Sequence, residues 1–143
     1  MRFGKFTLLL FLTISCNKTM ISEFKELEPF INEFETQIAF INYPIEFKFS
    51  EIVDDIPGVL GMCTYSPATV IFKDSFWHDP LRTDLLKLFL MYHELGHCVL
   101  DRGHSKKTDL LPDGCPVSIM HEEFMSQDCA AMHFIHYIEE LRS

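Results

Sequence analysis

Basic residues are scarce in this chain: 12 Lys and Arg stand against 21 Asp and Glu, a formal charge of −9 at pH 7. Such a balance offers no cationic face for nucleic acid and no electrostatic attraction to anionic lipid. It suits a solvated surface or, more narrowly, basic peptides. Internal repeats, low-complexity tracts and Gly/Ser linkers are also missing, so 143 residues make one domain with no room for a second. No Cys-x-x-Cys pair occurs, which argues against a cysteine-rich zinc site. Only one uninterrupted apolar run is found, and it is too short to span a bilayer. What is abundant is hydrophobic side chain, 48% of the residues with 14 Phe, the composition of a globular fold.

The apolar run lies at the beginning. Arg2 and Lys5 precede residues 6–14, which are all apolar or Thr. Nine helical residues reach about 14 Å, less than half a bilayer core, so residues 1–15 read as an export signal and 16–143 as the mature domain. The segment closes Leu12-Thr13-Ile14-Ser15-Cys16. This resembles a bacterial lipoprotein signal, in which the cysteine after the cleavage site receives the lipid; Thr13 stands where Leu is usual. The resemblance makes Cys16 the expected lipidation site and membrane anchor, and the cell envelope (periplasm or surface) the expected location. Loss of residues 1–15 removes two basic and no acidic residues, taking the charge to about −11.

Along the mature chain, Ile21, Phe24, Leu27, Ile31, Phe34, Ile38 and Ile41 recur every three or four residues and predict an amphipathic helix. Pro29 requires either a kink or a fresh start there. Residues 45–49 alternate with period two and predict a strand. Residues 60–65 and 69–73 are β-rich on either side of Ser66-Pro67-Ala68 and predict a hairpin. Asp79-Pro80 looks like an N-cap and first helical position, opening a helix over 80–100 that Gly103 would end in a left-handed conformation. A loop with Pro112 and Pro116 leads to a final helix over 122–141. The fold class expected is α+β, with a small twisted sheet packed on the long helix.

That helix carries His93-Glu94-Leu95-Gly96-His97. Four helical residues turn about 400°, so both imidazoles leave one face a turn apart, close enough to share a Zn²⁺ at about 2.0–2.1 Å. Glu94 is rotated about 100° from His93 and can reach a metal-activated water without ligating the metal. A catalytic zinc takes three protein ligands and keeps a fourth position open. His104, seven residues past His97 and directly after Gly103, is the leading third ligand; Asp101, His121, Glu139 and Glu140 are the alternatives. His133 and His136, at i,i+3 among apolar residues, read as part-buried helix residues and not as a second metal pair.

With Ser118-Ile119-Met120-His121 downstream, the chain resembles the metzincin clan of zinc peptidases. Their pattern is H-E-x-x-H-x-x-G-x-x-H followed by a tight turn whose methionine lies under the metal ligands. The matching residues are His93, Glu94, His97, His104 and Met120. A narrower likeness is to small exported bacterial proteins of metallopeptidase type with H-E-L-G-H-C, R-G-H and C-x-S-I-M; here these are residues 93–98, 102–104 and 115–120, with Pro116-Val117 between the cysteine and the serine. The resemblance covers residues 58–130, roughly half the chain. The glycine and the third histidine are each displaced from the metzincin positions, the histidine coming seven residues after His97 instead of six, so its loop is one residue longer. Glu122 occupies the position where some metzincins carry a tyrosine.

The resemblance implies a zincin fold with a C-terminal helix after the methionine turn, one catalytic Zn²⁺, and hydrolysis of peptide or protein substrates with Glu94 as general base. Two other readings stay open: a non-catalytic envelope-binding lipoprotein on the same scaffold, and a zinc amidase acting on non-protein amides. Export also predicts oxidation of Cys63, Cys98, Cys115 and Cys129. Three connectivities exist, with four buried thiols as the alternative. The favoured pairs are Cys63–Cys98, tying a strand to the metal helix, and Cys115–Cys129, closing a loop around Met120.

Overall fold

The computed structural model describes residues 25–50 and 52–143. Cys16 and the proposed export signal therefore lie outside the described residues. Ile21 and Phe24 of the first stripe lie outside the described residues; from Lys25 the stripe is a 3-10 turn, Lys25–Leu27, continued as helix α1, Glu28–Gln37. Pro29 falls in the first turn of α1, where its missing N–H is needed by no partner; the fresh start is the solution adopted. Ile31 and Phe34 bury the inner face.

Strands β1 (Glu46–Ser50), β2 (Gly61–Tyr65) and β3 (Ala68–Lys73) form a mixed sheet in the order β1-β3-β2. β3 runs parallel to β1 and antiparallel to β2, so the expected hairpin is present and β2 is an edge. As the central strand, β3 buries Val70 and Phe72 completely. A four-residue helix α2, Asp74–Trp77, follows at once and drives Trp77 against the rings of Phe72 and Phe30, with centroids 4.6 and 5.2 Å away. So short an element leaves no periodicity to read in the sequence.

Helix α3 spans Asp84–Leu100 and starts four residues later than expected. Asp79 accepts Leu81 N–H at 2.9 Å and pairs with Arg82 at 3.3 Å, closing a separate turn. Thr83 is the N-cap, its hydroxyl accepting Leu86 N–H at 3.4 Å. The C-terminal expectation also shifts. Asp101, at φ 53°, takes the left-handed cap position assigned to Gly103, and Arg102 N–H bonds back to Gly96 O at 3.1 Å. Asp is among the few residues whose short polar side chain tolerates that region.

The final helix is shorter and broken. Residues 122–126 are irregular, Ser126 caps α4 (Gln127–Met132), and after His133 the chain resumes as α5 (Phe134–Arg142). α3 is buried from Phe89 to Gly96 without a gap, as befits a helix covered on every side. β2 and β3 contact it on one side, α1 and α4 on others. Phe34 meets Tyr92 edge-on at 5.5 Å, and Phe89 meets Tyr137 at 5.7 Å. The result is a single α+β domain: a three-stranded mixed sheet packed on a central helix, with C-terminal helices. Among the described residues two disulfides form, Cys63–Cys98 from β2 to the last turn of α3 and Cys115–Cys129 from the loop to α4. No helix among the described residues is long and apolar enough to cross a membrane.

Candidate metal centre

His93 and His97 stand one turn apart on α3, and the left-handed residue at Asp101 reverses the chain so that His104 returns beside them. The return is fixed at two points. His97 Nδ1 donates to Arg102 O at 2.6 Å, and Ser105 N donates to Met120 O at 2.8 Å, where Ser105 and His121 pair in a short parallel bridge. The three Nε2 atoms then form a nearly equilateral triangle with sides of 3.0, 3.1 and 3.2 Å.

How two of those nitrogens face the centre is set by the other nitrogen of each ring. His93 Nδ1 donates to Ile119 O at 2.8 Å, as His97 Nδ1 does to Arg102 O. A neutral ring that donates from Nδ1 has a bare lone pair on Nε2. At least two lone pairs thus converge on one point, an arrangement that only a proton or a cation relieves. A tetrahedral zinc with Zn–N of about 2.0–2.1 Å holds its nitrogens about 3.3–3.4 Å apart, within a few tenths of an ångström of this triangle. His93, His97 and His104 are accordingly a group that could hold a metal ion.

Electrostatics favour the unprotonated form that a metal needs. Burial pulls His93 down to about 4, and the neighbouring imidazoles reinforce this against the opposing Ile119 carbonyl. Burial and the charge of His97 also lower His104. Glu94 is only 3% exposed, and burial pushes its carboxyl up to about 8. A dication in the triangle would draw it back toward the ionised form. Glu94 lies against the edge strand: a Cβ placed on Gly61 would sit 2.5 Å from its Oε1 and 2.8 Å from its Cδ.

Met120 is buried beneath the ligand helix, and a Cβ on Gly96 would stand 2.4 Å from its sulfur. The glycine between His93 and His97 is therefore the opening into which the methionine packs. The turn holding Met120 is tied down by Ser118, whose hydroxyl accepts Met120 N–H at 2.9 Å and donates to Glu140 Oε2 at 3.0 Å. Glu140 Oε1 takes Arg102 Nη1 at 3.1 Å. One carboxylate on α5 thus clamps the two loop segments whose carbonyls orient His93 and His97.

The remaining candidates divide clearly. Glu140 is the clamp, Asp101 is the helix cap, and Glu139 is exposed on α5. His121 is outside the triangle but lines a cavity of about 110 Å³ with Gly61, His93, Glu94, His104 and Glu122. His133 pairs with Asp113 at 2.6 Å and His136 donates to Val117 O at 2.8 Å, so both hold the loop. Asp113, Cys115 and His133 also cluster, but the Cys115 sulfur is spent in its disulfide. Sequence reasoning missed the Gly61–Glu94 contact and the Arg102–Glu140–Ser118 chain. A serine two residues before the turn methionine was the one local hint of the latter.

Compared with known proteins, the chain matches no family model, no curated protein and no solved structure.

Proposed function

We propose that this domain is a zinc-dependent peptidase, exported to the bacterial cell envelope and anchored there by lipid on Cys16. The observation that carries the reading is the convergence of three Nε2 atoms beside a buried carboxylate that takes no part in the triangle. Three imidazoles suit zinc among the common divalent ions, and no fourth protein ligand joins them among the described residues, which is the pattern of a catalytic site. The resemblance of residues 93–104 and 118–120 to metzincins points the same way, as do two disulfides for an extracytoplasmic location.

A zinc ion held there would supply Lewis acidity, making water nucleophilic at neutral pH and polarising a scissile carbonyl. His93 and His97 present fixed lone pairs because Ile119 and Arg102 carbonyls hold their Nδ1 protons. Glu94 accepts the proton of the attacking water and delivers it to the leaving amine nitrogen. Burial raises the carboxyl and so makes its ionised form the stronger base, and a cation in the triangle would favour that ionised form.

Zinc content and digestion of a peptide library test this together, with Glu94→Gln as control. One zinc per chain is expected, with cleavage that disappears in the variant while zinc remains. Zinc binding with no cleavage by either protein would favour the binding lipoprotein, and cleavage confined to non-protein amides would favour an amidase.

A further inference from the structure

The geometry points to His121 as the donor that holds the developing oxyanion of the substrate, through its Nε2–H; the assignment rests on the peptidase reading above. His121 is 3% exposed, and its Nε2 is buried with no hydrogen-bond partner among the described residues. Buried polar atoms are nearly always paired, so an orphan of this kind calls for a ligand. The same side chain lines the cavity that contains His93, Glu94 and His104.

The ring's other nitrogen bears on its state: His121 Nδ1 stands 3.1 Å from Glu123 N–H, which can only donate, and 3.0 Å from the Glu123 carbonyl, which can only accept, so each tautomer bonds one of the two. A neutral imidazole that accepts at Nδ1 carries its hydrogen on Nε2. In the form that accepts from the amide, His121 is the opposite tautomer to His93 and His97: they present lone pairs to the centre, and it presents a hydrogen. Ser105, across the parallel bridge from His121, keeps its own buried hydroxyl unpartnered as well, so the two do not satisfy each other.

Elimination within the cavity agrees. His93 and His104 belong to the triangle, Glu94 is the base, and an ionised Glu122 would repel negative charge. The other lining side chains are Gly58, Val59, Leu60, Gly61, Leu90 and Phe124, none of which can donate. When water attacks the carbonyl carbon, its proton passes to Glu94 and the C=O π pair moves onto oxygen. His121 Nε2–H bonds to that oxygen and transfers nothing. As the C–N bond breaks, the nitrogen takes the proton from Glu94 and the oxygen pair re-forms the carbonyl. An interaction gained at the charged stage accelerates the reaction without tightening substrate binding.

Two substitutions separate the ring's two roles. His121→Asn keeps an acceptor where Nδ1 was and removes the distal N–H; His121→Gln restores a donor near Nε2. In the full, zinc-loaded chain, His121→Asn is expected to lower kcat by about 10²–10³ with KM and zinc stoichiometry unchanged. Affinity for a phosphinic peptide, whose tetrahedral anion resembles the oxyanion, should fall by a similar factor, and His121→Gln should recover about tenfold in both. Independently of any variant, ¹⁵N NMR of histidine-labelled, zinc-free wild type should show His121 as the Nε2–H tautomer. An Nδ1–H tautomer, or unchanged kcat and phosphinic affinity in His121→Asn, overturns the assignment and leaves the peptidase reading standing. A wild type that neither cleaves peptides nor binds the phosphinic peptide overturns both.

Discussion

Gly61→Ala tests the placement of Glu94 without touching a ligand or the carboxylate itself. An alanine Cβ would stand 2.5 Å from Oε1, whereas ordinary contact begins at 3.4 Å. The carboxylate must therefore retreat by roughly 0.9 Å, and misplacement of a reacting group by ~1 Å costs on the order of 10²-fold in rate. Stability moves the other way. Gly61 does not occupy a positive-φ conformation, so alanine is tolerated by the backbone, and replacing a strand glycine is worth about 0.5–1 kcal/mol. Some of that gain goes to the strain of moving Glu94. The expected protein melts within a few degrees of wild type, binds zinc equally well and turns over peptide about a hundredfold more slowly. Thermal unfolding, zinc titration and kcat/KM on one peptide measure all three. A kcat/KM within threefold of wild type refutes the reasoning, and so does a loss of activity that merely follows a loss of zinc.

His104→Ala should lower zinc affinity strongly while the helical circular dichroism persists, because His93 and His97 remain on a preformed helix; undiminished affinity by competition with a chromophoric chelator would exclude His104 as a ligand. Gly96→Ala gains up to ~1 kcal/mol of helix propensity. It also meets Met120 Sδ at 2.4 Å with Leu141 at 3.6 Å behind it, and overpacking at ~1–3 kcal/mol should win; denaturant midpoints decide the sign. Removing Cys115–Cys129, which spans 14 positions, should cost ~3 kcal/mol in the chain-entropy account, read from urea unfolding of the Cys115→Ser/Cys129→Ser double variant.

The elements with strong local signals were legible in the sequence, and their boundaries were less so. The β-hairpin and β1 follow from alternation, and proline chemistry narrowed Pro29 to a kink or a restart, between which the structure chose the restart. The start of α3 did not, because Asp79-Pro80 and Thr83-Asp84 both read as caps; in the structure Asp79 closes a separate turn and Thr83 caps the helix. Likewise Asp101 overrode the glycine two positions on, since the cap belongs wherever the intrahelical bonds run out. Of the site, the two helix histidines follow from a spacing of four, and His104 was identified although its loop is longer than the pattern it resembles. Contacts that join distant segments left no local trace. Gly61 reaches Glu94 across 33 positions, and Glu140 reaches Arg102 across 38. His121 was weighed only as a metal ligand, because its orphaned Nε2 is a property of the packed interior.

The Glu140 clamp also sets an order of events in the life of each molecule. A polypeptide is made from its N-terminus, so α3 leaves the ribosome dozens of residues before the carboxylate that holds its loops. Until α5 arrives, the segments that carry the Arg102 and Ile119 carbonyls have only their own loop bonds and lack the Glu140 clamp. A nascent chain therefore offers a passing metal ion only the loose binding of unfolded histidines. On the proposed function, metallation would be a late step, taken after the last helix has docked and, if the chain is exported as proposed, with the metal available at its destination.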